Sequence, residues 1–289
     1  MFKKIYLVAE IGCNHMGDMK LTKILIDQAK NCGADYVKFQ KRDNNILFSK
    51  KEYNSKHPVE ANSFGKTYGE HREFLEFNLN QHKKIKSYCN KKKIKYSCSV
   101  WDINSAKIIS KISRDYIKIP SATNLNFEVL DYLSNFYKGD IHISTGMTSS
   151  DEIDEIIDFL DKRNSLKRTI LYSCTSSYPA KIEDIRLLDI LNLKEKYGKF
   201  LKGIGFSGHH KGLSIDNAAI SLGASWFERH FTFDRTAKGT DHAASLEAEG
   251  LMKLRTRLNE TNITLKFKPK KILDNEKFQR NYLKKIIRV

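Results

Sequence analysis

The chain has 289 residues, 40% of them hydrophobic and 29% charged, with a mean hydropathy of −0.52 and a formal charge of +17. These values suit a soluble globular protein with one large core or two small ones, and no apolar run approaches the ~20 residues that a bilayer span requires. Five scattered cysteines (Cys13, Cys32, Cys89, Cys98, Cys174) contain no Cys-x-x-Cys pair, so neither a zinc knuckle nor a disulfide framework is indicated. The N-terminus turns acidic at Glu10, too early for a signal peptide, so a cytoplasmic protein without membrane attachment is expected. The basic residues form short runs, Lys91–Lys93 and Lys268–Lys271, without interleaved aromatic residues, so nucleic acid is not an expected partner.

In chain order, short β-branched runs alternate with stretches of helical period. The predicted strands are Ile5–Ala9, Tyr36–Gln40, Lys95–Val100, Tyr116–Ile119, Ile141–Thr145, Thr169–Cys174, Ile204–Ser207 and Trp226–Phe231. Amphipathic stretches follow them, in order Leu21–Asn31, Phe74–Lys91, Ser105–Ile112, Phe127–Leu133, Ser150–Leu160, Ile185–Lys196, Ser214–Leu222 and Leu246–Asn259. Eight even strand–helix units predict an α/β fold, a (β/α)8 TIM barrel over residues 1–260, rather than an open doubly wound sheet. Residues 261–289 read as a basic tail with one short strand and a helix around Phe278–Ile287.

Such barrels carry their chemistry at the C-terminal ends of the strands. Those ends hold Glu10, Asn14 and His15; Lys38 and Gln40; Ser97 and Ser99; Lys118 and Ser121; Ser144 and Thr145; Ser176 and Tyr178; Ser207 and His209; and His230. Lys38 and Lys118 lie inside apolar strand runs, where a lysine is costly unless it meets an anion. Three accounts compete for them: gripping a phosphate and a carboxylate, forming a Schiff base, or snorkelling out of an edge. His209 and His230 end neighbouring strands and could ligate one divalent ion with positions left open for water and substrate. Glu10 could serve as a base or bind sugar hydroxyls, and Asp241 lies in a loop that could fold over the mouth.

The motifs resemble the barrel domain of the N-acetylneuraminate (sialic acid) synthase family. The matching stretches are Ala9-Glu10-Ile11-Gly12-x-Asn14-His15-x-Gly17, Val37-Lys38-Phe39-Gln40, Ile117-Lys118-Ile119-x-Ser121, Ser144-Thr145-Gly146-Met147, Tyr178-Pro179, Gly205-Phe206-Ser207-x-His209, Glu228-Arg229-His230-Phe231-Thr232 and Asp241-His242-x-x-Ser245-Leu246-Glu247. The resemblance implies that Lys38, Ser99, Lys118, Ser121, Ser144 and Ser207 hold phosphoenolpyruvate. It implies that His209 and His230 ligate Mn2+ or Mg2+. Glu10, Gln40, Tyr178 and Asp241, with Asn62, would face an acceptor sugar, and Ser176 stands where the family has a substrate-facing Asn. Glu10, Lys38, Lys118 and Asp241 are the expected catalytic set. The sequence departs from the pattern at Gly208 and Thr123, where the family has acidic residues, and at Cys98-Ser99-Val100-Trp101-Asp102. It also stops before the antifreeze-like C-terminal domain expected of the family.

The implied reaction is metal-assisted condensation of phosphoenolpyruvate with an N-acetylated amino-sugar aldehyde, by C–O cleavage, to a nine-carbon 2-keto acid and phosphate. A homodimer is implied, and a separate chain could supply a cap. Three other readings stay open. One is a synthase for another aldose or a sugar phosphate, of the legionaminic, pseudaminic or 3-deoxy-octulosonate type. The others are a Schiff-base aldolase and a non-catalytic scaffold barrel.

Overall fold

The computed structural model describes residues 4–285. Eight parallel strands close into a barrel in sequence order. They are β1 (Tyr6–Gly12), β2 (Tyr36–Lys41), β3 (Lys95–Val100), β4 (Tyr116–Ile119), β5 (Asp140–Ser144), β6 (Thr169–Cys174), β7 (Gly203–Gly208) and β8 (Trp226–His230). β1 closes the ring against β8, with Val8 opposite Glu228 and Glu10 opposite His230. Each strand thus matches its expected position to within a few residues.

The helices are α1 (Met19–Asn31), α2 (Asn44–Leu47), α3 (Lys50–Tyr53), α4 (Tyr68–Leu75), α5 (Leu79–Lys91), α6 (Ile103–Ile109), α7 (Phe127–Phe136), α8 (Ser150–Asp161), α9 (Asp189–Tyr197), α10 (Ser214–Ser221), α11 (Ala248–Thr264) and α12 (Asp274–Leu283). The stretch expected as one helix over Phe74–Lys91 is two. Asn78 accepts from Gln81 N at 3.0 Å, and Gln81 returns the bond to Asn78 N at 2.9 Å, a reciprocal cap that starts α5 afresh. The helix expected from Ile185 starts at Asp189, after a 3-10 turn at Ile182–Asp184. Among the described residues the tail contains no strand; it holds α12, and the expected helix end at Ile287 lies outside them.

Alternation along the strands sorts side chains into two cores. Residues such as Leu7, Phe39, Ile117, Leu171 and Phe227 face the helices and form the main core. Inside the barrel, Val8, Tyr36, Tyr116, Ile170, Tyr172 and Trp226 make a second cluster. His142 lies within it, stacked on Tyr116 at 3.7 Å and hydrogen-bonded to the Tyr172 hydroxyl at 2.9 Å. Gly205 makes this layer possible: a Cβ there would stand 2.6 Å from the Tyr172 ring. These rings fill the lower barrel, so the interior opens toward the C-terminal ends of the strands.

Candidate active site

Two residues above each ring, the same strand faces turn polar. Tyr36 is followed by Lys38, Tyr116 by Lys118, Val8 by Glu10 and Trp226 by Glu228. All four charged residues are at least 95% buried. Lys38 Nζ lies 2.6 Å from Glu10, 3.7 Å from Glu228 and 2.6 Å from Ser99 Oγ. Lys118 Nζ pairs with Glu228 at 2.6 Å and sits 4.0 Å over the Tyr172 ring. Ser207 Oγ donates to Glu228 at 3.2 Å, and Gln40 Nε2 donates to Glu10 at 2.8 Å. Two cations therefore face two carboxylates on a buried floor.

The carboxylates differ in character. Burial pushes Glu10 up to about 7, with the Glu228 charge adding to the rise and Lys38 opposing it. Burial also raises Glu228, but Lys118 and Lys38 outweigh it and hold that carboxyl down at about 2. Glu228 is thus a permanent counter-ion, whereas Glu10 can take a proton near neutrality and leave two lysines facing one carboxylate. Lys118 is ion-paired over an aromatic face, but burial, helped by the Lys38 charge, outweighs Glu228 and lowers it below the ordinary lysine value.

Above the floor lies a cavity of about 440 Å³. Its lining includes Glu10, Lys38, Gln40, Ser99, Lys118, Ser121, Ser144, Ser176, Tyr178, Ser207, His209, His230 and Asp241. Every residue singled out as a catalytic, binding or metal candidate faces this space except one. Asn62 sits in the 3-10 turn Glu60–Asn62 outside the lining, because that turn belongs to the long β2–α4 connection rather than to a strand end. Sequence reasoning assigned no role to Glu228, although it lies two residues before His230 on one strand face; that alternation was the available signal. It also missed Arg42, Arg72, Trp101 and Cys174, which line the same cavity.

His209 and His230 stand with ring centroids 5.4 Å apart. His209 Nδ1 meets the Thr175 carbonyl at 2.7 Å, an arrangement that fixes the tautomer and leaves Nε2 as a lone-pair donor. Burial lowers His230 to about 4, which keeps it neutral at physiological pH, and its Nδ1 lies 3.8 Å from Asp241. Two buried imidazoles on adjacent strand ends, one of them oriented by the Thr175 carbonyl, fit a divalent ion. Among the described residues no cluster of three His, Cys, Asp or Glu side chains could hold one, so most positions on such an ion would be open to water and substrate. Burial opposes ionisation of Cys174, but His209, 4.0 Å away, brings the thiol down to about 7. His210 turns away: with Asp216 it surrounds Arg229, whose Nη1 reaches Asp216 at 2.5 Å and His210 at 3.2 Å.

Comparisons with known proteins agree with this geometry. The chain is 36% identical over 269 residues to an N-acetylneuraminate-9-phosphate synthase of Drosophila melanogaster, covering 92% of this chain and 69% of that protein. It is 33% identical to the N,N'-diacetyllegionaminic acid synthase of Campylobacter jejuni, covering 89% and 76% respectively. A crystal structure of an N-acetylneuraminic acid synthetase from Leptospira borgpetersenii, in complex with citrate, superposes with a TM-score of 0.82 at 28% identity, covering 96% of this chain and 91% of that one. A truncated 3-deoxy-D-arabino-heptulosonate 7-phosphate synthase from Thermotoga maritima shares the fold at 12% identity. Residues 25–270 match the sequence profile of the NeuB family. The chain is a synthase-type transferase and belongs to the NeuB family.

Proposed function

We propose that the protein condenses phosphoenolpyruvate with the aldehyde of a 2-acetamido sugar, releasing phosphate and forming a 2-keto sugar acid with three more carbons. The observation that carries this reading is a single cavity that joins a buried two-lysine floor to an oriented histidine pair. Lys38 and Lys118, with Ser99, Ser121, Ser144 and Ser207 around them, bind the carboxylate and phosphate of phosphoenolpyruvate. Its C3 attacks the aldehyde carbon, and C2 becomes electron-poor. Glu10 and Glu228 lie beneath that charge and stabilise it. Water adds at C2 as Glu10 or Asp241 accepts one of its protons and passes it to the alkoxide formed from the aldehyde oxygen; cleavage of the C2–O bond then expels phosphate, which carries off the second proton, and leaves the ketone.

Gln40, Ser176 and Tyr178 line the acceptor side and position the sugar. A Mn2+ or Mg2+ ion held by His209 and His230 would supply a Lewis-acid charge that polarises the aldehyde. With this ion bound, phosphoenolpyruvate is expected to disappear only when an amino-sugar aldehyde is also present. His209→Ala and His230→Ala are each expected to lower kcat ~100-fold or more. Full activity in both variants would remove the histidine pair from the mechanism. No turnover with any 2-acetamido aldose would overturn the condensation. Borohydride with pyruvate is expected to trap no lysine adduct; a trapped adduct would make the protein an aldolase.

A further inference from the structure

The ladder between β7 and β8 ends one residue short of both histidines of the pair. Its last register partners are Gly208 and Arg229, and His209 and His230 follow them directly. After Gly208 the chain leaves the sheet in a turn, residues 209–213, before α10 begins at Ser214. The β6 side holds this turn: Ala180 N donates to the His209 carbonyl at 3.0 Å, and His209 Nδ1 meets the Thr175 carbonyl at 2.7 Å. Neither bond relates His209 to the strand that carries His230.

Arg229 makes that connection. Side chains alternate along β8, so Glu228 and His230 line the cavity while Arg229 points outward to Asp216 of α10. It is buried, in the layer that also holds Phe227. Its Nη2 donates to the His210 carbonyl at 2.6 Å, and its Nη1 to the Gly212 carbonyl at 3.1 Å. Among the described residues, every hydrogen bond between residues 209–213 and β8 comes from this guanidinium. Asp216 holds the same Nη1 at 2.5 Å and lies 3.2 Å from His210 Nε2. Gly208 leaves room for the arm to pass: a Cβ there would stand 3.1 Å from Arg229 Cδ and 3.0 Å from His210 Cε1.

Burying an arginine–aspartate pair is costly, and an apolar pair of similar size would join β8 to α10 as well. What the guanidinium adds is a fork of donors, which reaches two carbonyls of a turn that no ladder holds. A site with two protein ligands is sensitive to such placement, because displacing either imidazole leaves the ion a single one. We propose that Arg229, backed by Asp216, is the positioning residue of the histidine pair: it bolts the turn after His209 to the strand that carries His230 and sets the spacing at which one divalent ion is held. This inference rests on the ion-holding pair of the proposed function.

The test titrates Mn2+ and Mg2+ separately into the full chain by calorimetry, without substrates. Removing Arg229 alone would strand Asp216 in the interior, so the variant is the apolar pair Arg229→Met/Asp216→Leu, which keeps the layer filled. The Kd for whichever ion the wild type binds is expected to rise ~10–100-fold, while inorganic phosphate, the probe of the lysine floor, binds within ~2-fold of its wild-type affinity. Arg229→Lys keeps the charge but not the fork and should show an intermediate loss; it carries the same decision should the double variant fail to fold. Phe227→Leu, on the same outward face of β8, should lower the melting temperature and leave ion binding unchanged. Ion affinity within ~2-fold of wild type in the Arg229 variants would overturn the inference. So would a matching loss of phosphate affinity, or an equal loss of ion affinity in Phe227→Leu, since either would make Arg229 a part of general packing. A wild type that binds neither ion would bring down the ion-holding pair itself, and this inference with it.

Discussion

Glu228 holds the floor together. It is the counter-ion of Lys118 and the more distant one of Lys38, and removing one partner from a buried ion cluster leaves an uncompensated charge. Glu228→Gln is expected to destabilise the fold by about 3–5 kcal/mol, read from urea or thermal denaturation. Added phosphate or phosphoenolpyruvate should restore more stability to this variant than to the wild type, because an anion replaces the lost charge. Equal stabilisation of both proteins would count against the floor as an anion site. At this scale the sequence was legible wherever a polar residue interrupted an apolar strand, as at Lys38 and Lys118. Arg72 was not legible, because an arginine on a short polar helix reads as a solvated residue until the fold buries it. Asn62 stands apart: a resemblance pointed to it, and its turn lies outside the cavity lining.

Short elements between β2 and α5 shape the rim. α4 starts at a reciprocal cap between Thr67 and Glu70, and its Arg72 and Leu75 are buried. The β1–α1 turn is pressed against it: Gly17 has φ +70°, and a Cβ there would lie 2.5 Å from the Phe74 carbonyl oxygen. Gly17→Ala therefore meets both a disfavoured backbone conformation and a main-chain clash. A loss of about 2 kcal/mol or more is expected in denaturation. Unchanged stability would show that the turn can shift without cost. None of α2, α3 or α4 was read from the sequence as a separate element. Four- and eight-residue helices carry too few apolar positions to set a period, and their caps do the specifying. The break before α5 shows the same limit: periodicity ran through it, and the Asn78–Gln81 cap overruled it.

Most of the buried histidines with a shifted pKa are held neutral; burial also lowers His209, but Cys174 outweighs it and raises that ring. Burial lowers His15 and His82 to about 3, and His142 lies well below the ordinary 6.5. An unfolded chain protonates these rings first, so their contribution to stability is present above pH 6.5 and is lost as pH falls toward 3. Glu10 acts in the opposite sense: its contribution is present below pH 4.5 and fades as pH rises through about 7. The histidines outnumber it, and Glu228 adds to the loss below pH 4.5. The melting temperature is expected to fall between pH 6.5 and 4, and His82→Gln should flatten that decline. A wild-type melting temperature constant over this interval would disprove the account. The architecture itself was the most legible level. Buried parallel strands must be continuous apolar runs, and eight of them at even spacing leave little but a closed barrel. What spacing could not reveal was the division of its interior into rings below and charges above.

That division makes the barrel a blind-ended cup rather than a tube. Tyr36, Tyr116, His142, Tyr172 and Trp226 seal the lower end, so all traffic crosses a single rim. A small ligand lodged among the lysines would be shut in by a larger one seated above it. Arrival and departure are then sequential: whatever occupies the bottom enters first, and the upper occupant must leave, or be joined to it, before it can escape.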